Sequence, residues 1–221
     1  QRLNTWLSSQ TSAGILFETD LRLRPNGDSG LLAVSVDSFR DYQLKNAWVW
    51  EHQALTRARF CAGDPAVGAH FEKIRCEILC QQRDLTTLRD EVVAMRQKMV
   101  DAHASNSATE FDLKHDQGGI VDVEFIVQYL VLGYASQHPS LTGNLGNIAL
   151  LRMAAELGLI EPQQAEAAGN AYREYRRLQH AKRLSATPKA RVPREEIEKH
   201  IAAVNTLWQA VFGTASAAAR P

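Results

Sequence analysis

The chain has 221 residues, 45% of them hydrophobic, with 25 acidic and 25 basic side chains and a formal net charge of zero. That length and apolar content support one large domain or two small ones with a real core. The charge balance leaves no global field to recruit nucleic acid or an anionic membrane, so no nucleic-acid or membrane partner is expected. The cysteines, Cys61, Cys76 and Cys80, make neither a disulfide framework nor a CxxC zinc pattern, and no apolar run reaches transmembrane length; both suit a cytoplasmic protein.

In chain order, Leu3, Trp6 and Leu7 recur at helical spacing, so residues 1–10 read as a helix with a core-packing stripe, ended by Ser12 and Gly14. Gly14 to Arg24 and Leu31 to Val36 read as two antiparallel strands. Pro25-Asn26-Gly27-Asp28-Ser29-Gly30 supplies the turn between them. Ser35 or Asp37 caps a helix carrying Phe39 and Tyr42, and a further helix runs through Trp48 and Leu55 to about Cys61. Asp64-Pro65 opens a helix with Phe71, Ile74 and Ile78 on its buried side. Asp84 caps the next, where Leu88, Val92, Met95 and Met99 repeat at helical spacing to about His103. After a small polar loop, Phe111 to Lys114 alternates like a short extended piece, and Gly118-Gly119 introduces an almost wholly apolar helix from Ile120 to Ser136. Helices at 147–157, 162–184 and 194–212 complete the chain, and the Ala/Ser-rich tail 214–221 has too little apolar surface to order itself. The fold class expected is α+β, predominantly α, with domains at 1–62 and 63–213.

Two stretches carry candidate chemistry. Alternation across a strand places Asp20, Arg22 and Arg24 on one face and Leu21 and Leu23 on the other. A hard carboxylate ligand beside two guanidiniums can hold a metal ion and the phosphates it bridges, while a solvated face with an Asp–Arg cross-pair is the alternative. On the apolar helix, Glu124 and Gln128 share a face one turn apart, and a buried acid is costly unless it is paired or bound to a cation. Asp122 stands in the first turn, where the helix dipole favours an acid. Gly118 and Gly119 read either as a tight turn or as a small anion-binding nest, and Lys114 either as a partner for Glu124 or as a phosphate contact. Glu51-His52 lacks the second histidine of a zinc-binding HExxH pattern. The basic run Arg173, Arg176, Arg177, Lys182 and Arg183 reads as a solvated helix face or a protein contact surface.

Three segments taken in order, DLRLRPNGDSGLLAVSVDSFRDYQ, AWVWEHQALTRARF and FDLKHDQGGIVDVEFIVQYLVL, resemble the glutamine synthetase adenylyltransferase family, whose members carry two nucleotidyltransferase halves, each followed by a helical bundle. The resemblance implies that the strands are the remnant of a nucleotidyltransferase sheet and that the following helices are the bundle. It implies ATP as substrate, Mg2+ as cofactor, glutamine synthetase as target and a PII-type signal protein as partner. It assigns Asp20 as a metal ligand and Arg22 and Arg24 to the phosphates or to supporting the carboxylates; the residues themselves make Glu124 a further catalytic candidate and Lys114, Gly118 and Gly119 candidate nucleotide contacts, expected to face Asp20, Arg22 and Arg24 across a cleft. The wording around Trp48 to Leu55 is closer to the C-terminal, adenylylating half. The family's Gly-Ser-Asp-x-Asp motif, which holds two further metal-binding carboxylates, is absent, so the chain is expected to be an inactive piece of a larger enzyme. The deadenylylating half, or a non-catalytic helical docking module, are the alternatives.

Overall fold

The computed structural model describes residues 2–15, 17, 19–21, 24–27, 30–105, 107–185 and 189–213. It is α+β and predominantly α, with two antiparallel strand pairs. The chain divides into two compact units, Gln1–Ile78 and Leu79–Pro221, a boundary one helix later than the domain boundary read from sequence.

The first unit opens with α1 (Arg2–Ser8), followed by strands β1 (Gln10–Thr11) and β2 (Gly14–Ile15), which pair antiparallel. The strand pair expected at 14–24 and 31–36 is therefore displaced toward the start of the chain. Phe17, Thr19 to Leu21 and Leu31 to Ser35 are not strand, and Leu31, Leu32 and Val34 are exposed. An extended backbone is stable only when its N–H and C=O groups meet a neighbouring strand, and no such ladder forms here among the described residues. Local bonds hold the segment instead: Gly27 N donates to Arg24 O at 2.9 Å and Gly30 N to Gly27 O at 3.1 Å. The expected turn is present, with Asn26 and Gly27 in the left-handed region at φ 61° and 52°. The stripe of α1 is also corrected: Leu3 and Trp6 are exposed at 66% and 71%. An amphipathic helix buries its apolar side only against an opposing element, and none covers these two among the described residues.

The rest of the first unit follows the sequence closely. Ser35 caps α2 (Val36–Lys45) by accepting from Ser38 N at 3.1 Å. Helix α3 (Val49–Leu55) stops short of Cys61, and its first turn is tied by the buried Glu51, which accepts from Trp48 N at 2.8 Å and from the Tyr42 hydroxyl at 2.9 Å. The neighbouring His52 bonds the Gln43 carbonyl through Nε2 at 3.0 Å. Helix α4 (Pro65–Leu79) buries Ile74 and Ile78 and supplies Arg75. That buried guanidinium donates to Leu55 O and Thr56 O at 3.0 and 2.9 Å and so braces the end of α3.

The second unit is built on α6 (Ile120–Tyr134), every residue of which is buried except Glu124, Gln128 and Tyr134. Around it pack α5 (Leu85–His103), α7 (Asn147–Glu156), α8 (Pro162–Leu184) and α9 (Arg194–Phe212). At ~1.5–3 kcal/mol for each fully buried large apolar side chain, Ile126, Leu132, Leu151 and Leu207, all at or below 1% exposure, are among the side chains that hold this unit together. Strand β3 (Glu110–Asp112) pairs antiparallel with β4 (Arg191–Pro193), Phe111 opposite Val192, and so fixes the entry to α6. The tail 214–221 lies outside the described residues.

Candidate functional site

In the first unit the described residues of the expected face, Asp20 and Arg24, are not strand. Asp20 is exposed, and Arg22 lies outside the described residues. Arg24 is half-buried and turned into its own loop, its Nη1 donating to Leu21 O at 2.7 Å and its Nε to Gly30 O at 3.4 Å. Gly30 makes this closure possible, since a Cβ there would stand 1.9 Å from the Pro25 carbonyl oxygen. The arrangement presents a carboxylate on a loop braced by a guanidinium, which differs from the common strand face expected. Among the described residues no three His, Cys, Asp or Glu side chains gather to hold a metal ion. Asp20 can offer one hard oxygen ligand, but these residues alone do not build a magnesium site.

In the second unit, residues 111–122 and Arg96 form a buried polar network that the sequence reading missed. Asp122, buried in the first turn of α6, pairs through Oδ1 with Nε of the buried Arg96 on α5. Arg96 Nη2 continues to the His115 carbonyl at 2.9 Å and reaches the Asp116 carbonyl at 3.3 Å. Asp122 Oδ2 accepts from Gly118 N, so the acid that the helix dipole favours is also held by the turn before it and by the Arg96 cation. Burial pushes the Asp122 carboxyl up, and Arg96 opposes that shift. Asp116 accepts from Asp112 N at 2.9 Å, from Ser105 Oγ at 3.0 Å and from Ser105 N. Asp112 Oδ1 accepts from Lys114 N at 2.9 Å and His115 N at 3.0 Å.

These contacts correct the reading of Gly118 and Gly119 as an anion nest. Gly118 N is held by Asp122 and Gly119 N by Asp116 O at 3.0 Å, so neither donor faces outward. Their glycine identity is steric. Gly118 has φ +88° and a Cβ there would meet Ile201 Cγ2 at 2.9 Å; one on Gly119 would meet two carbonyl oxygens at 2.8 and 2.9 Å. Glu124 is half-buried and accepts from the Tyr172 hydroxyl at 3.2 Å, and that hydroxyl accepts from Asn147 Nδ2 at 3.0 Å. Of the two readings of Lys114, the pair with Glu124 is not made, and Lys114 is exposed. Tyr175, fully buried, donates to the Gly118 carbonyl at 3.0 Å and locks the turn from α8. Arg96 carried a readable signal, a single charge continuing the buried row Leu88, Val92 at four-residue spacing. Asp112 and Asp116, four apart around a turn, carried another.

Comparison with known proteins places both parts of the chain in nucleotidyl-transferring families. Residues 1–74 match the family model for glutamate-ammonia ligase adenylyltransferase, and residues 87–210 match the model for GlnD PII-uridylyltransferase. Curated relatives named bifunctional glutamine synthetase adenylyltransferase/adenylyl-removing enzyme are 63% identical in Aromatoleum aromaticum and 56% identical in Nitrosomonas europaea, each over 97% of this chain, and 56% identical in Bordetella bronchiseptica over 96% of it. The chain spans 23%, 24% and 22% of those relatives' lengths. The chain belongs to the glutamine synthetase adenylyltransferase family, its second part carrying the domain described for PII-uridylyltransferases.

Proposed function

We propose that the chain is part of an enzyme that transfers AMP from ATP to a tyrosine of glutamine synthetase, in the adenylylating half, and that it works in the cytoplasm under a PII-type signal protein. The observation that carries this reading is the 63% identity over 97% of the chain to a relative of that name. Transfer of an adenylyl group to a phenol needs the attacking oxygen positioned at the α-phosphate and the negative charge of departing pyrophosphate neutralised. Within this chain the proposed contributors are Asp20, as one ligand of Mg2+, and Arg22 and Arg24, whose guanidiniums suit phosphate oxygens or brace the Asp20 loop. The remaining carboxylates would come from parts of the longer protein that this chain does not span. Residues 1–221 alone are therefore expected to transfer no AMP. No helix is long and apolar enough to cross a membrane among the described residues.

The test uses the longer protein with Asp20→Asn. Adenylylation of glutamine synthetase should fall at least ~100-fold, because a lost metal contact of several kcal/mol converts at about 1.4 kcal/mol per decade of rate. Unchanged transfer in a folded Asp20→Asn enzyme removes Asp20 from the site. If phosphate-dependent removal of AMP is lost while the forward transfer persists, the chain belongs instead to the deadenylylating half.

A further inference from the structure

The second unit holds a cavity of about 410 Å³ where the end of α5, the loop after β3, the end of α8 and the approach to β4 converge. Its wall carries His103, Lys114, His115, Arg183 and Lys189, which the sequence scatters over 87 positions. Lys114, Arg183 and Lys189 make no ion pair with any other described residue. The one carboxylate on the wall, Asp112, is already held by two backbone N–H groups and faces His115 Nδ1 at 3.4 Å. Helices α5 and α8 end here, and each C-terminus contributes about half a negative charge. Three permanent cations against one carboxylate and two helix ends leave about one positive charge uncompensated. At the wall, Gln179 is buried at 4% exposure, and its Oε1 already accepts from Arg176 Nη1 at 3.1 Å. What Gln179 has left to offer is an amide donor.

From this convergence we propose that the cavity binds a compact phosphate anion, inorganic phosphate or diphosphate. Lysine ammonium groups, an arginine fork and an amide donor around one small space match phosphate oxygens, which accept on every side. Apart from the imidazoles, the wall's non-polar members are alanines, Ala102, Ala104 and Ala190. They give a nucleoside base little surface to stack on. His103 and His115 lie with ring centroids 5.2 Å apart, and burial, Lys114 and His103 all hold the His115 imidazole below its ordinary value while Asp112 opposes them. An anion beside them reverses the charge repulsion and favours the protonated His115 ring. This binding does not depend on the adenylyl-transfer reading.

Titration calorimetry of the 221-residue chain with inorganic phosphate, diphosphate and ADP at one fixed pH tests it. One saturable site is expected for phosphate or diphosphate, with ADP no tighter than diphosphate. Arg183→Ala and Lys189→Ala should each weaken it about tenfold, as expected for a lost charge-assisted hydrogen bond, and Lys98→Ala, away from the cavity, should not. In the unaltered chain the His115 ring proton resonance should shift on titration, a readout independent of any variant's folding. No saturation by ~10 mM ligand, equal binding by the Arg183→Ala and Lys189→Ala chains, or equally tight binding of succinate would overturn the proposal. ADP binding more tightly than diphosphate would overturn it in favour of a nucleotide site.

Discussion

The loop around Asp20 and the turn around Gly118 both join carboxylates to arginines, yet they resolve their charges in opposite ways. Near Asp20 the carboxylate is exposed, and Arg24 braces backbone carbonyls of its own loop. Around Gly118 each buried carboxylate is met inside the fold: Asp122 by Arg96, Asp116 by Ser105 and the Asp112 amide, Asp112 by two backbone amides. A charge left at the surface costs little, because water still solvates it. A charge taken out of water must be matched, and then it holds structure. The same residue types thus mark a candidate chemical site in one unit and a structural lock in the other.

The sharpest way to break that contrast is to remove one partner on each side. Arg96→Ala leaves Asp122 buried without its cation and should cost about 3–5 kcal/mol, read as a lowered urea midpoint of the transition that involves the second unit. Asp20→Ala should change stability by less than ~0.5 kcal/mol, as surface substitutions do. If Arg96→Ala unfolds like the parent chain, the network is not a lock. Next in size, Gly118→Ala must accept φ +88° and a contact with Ile201, and should cost about 1–3 kcal/mol. Gly169→Ala, on α8 with only an ordinary 3.6 Å contact to Ile148, is its control and should stabilise by up to ~1 kcal/mol. Equal effects at the two glycines would remove the steric account of the turn.

A smaller effect is expected at the edge of the network. Tyr172→Phe deletes the hydroxyl that joins Asn147 to Glu124 and should cost ~1 kcal/mol. Glu124→Gln keeps an acceptor for that hydroxyl, and the half-exposed side chain can reach water, so the melting temperature should stay nearly unchanged. A loss from Glu124→Gln as large as that from Arg96→Ala would show Glu124 to be a structural charge rather than one available for chemistry.

Most helices were legible because their signals are local. Ser35 and Asp84 cap the helices they were expected to cap, Asp84 accepting from Thr87 N at 2.7 Å, and the Ile74, Ile78 and Leu88, Val92 rows are buried. The misreadings arose where a local pattern needs a distant partner. Alternation from Asp20 to Arg24 describes a strand only if another strand lies alongside. Leu3 and Trp6 make a core stripe only if something packs over them. Gly118-Gly119 is a nest only if its amides point outward, and Asp122, four positions later, already holds one of them. The Arg96–Asp122 pair spans 26 positions, which no periodicity reports. Strand β4 is three residues long and owes its form to Phe111 opposite Val192.

The smallest effect concerns pH, and it separates the lock from its histidines. His115 is half-buried, and burial first, then the nearby Lys114 and His103, lowers its pKa from the ordinary 6.5 against the pull of Asp112. His200 on α9 is lowered from 6.5 as well, by burial and Lys199 against Glu174. In both cases the unfolded chain binds a proton more readily than the folded one, so stability rises with pH across the interval between the folded and unfolded values. The contribution is fully present above 6.5, declines as pH falls below it and levels off once the folded imidazoles are themselves protonated. Asp122 acts with the opposite sign: its raised pKa means the folded carboxyl holds its proton longer, which favours the fold at the acidic end of its own interval above 3.8. Urea midpoints measured from about pH 7.5 down to about pH 5.5 should therefore fall, and the fall should be shallower in a chain carrying His115→Gln and His200→Gln. An equally steep decline in that variant would place the acid sensitivity outside these two histidines, and not at Asp122, whose raised pKa favours the fold as pH falls.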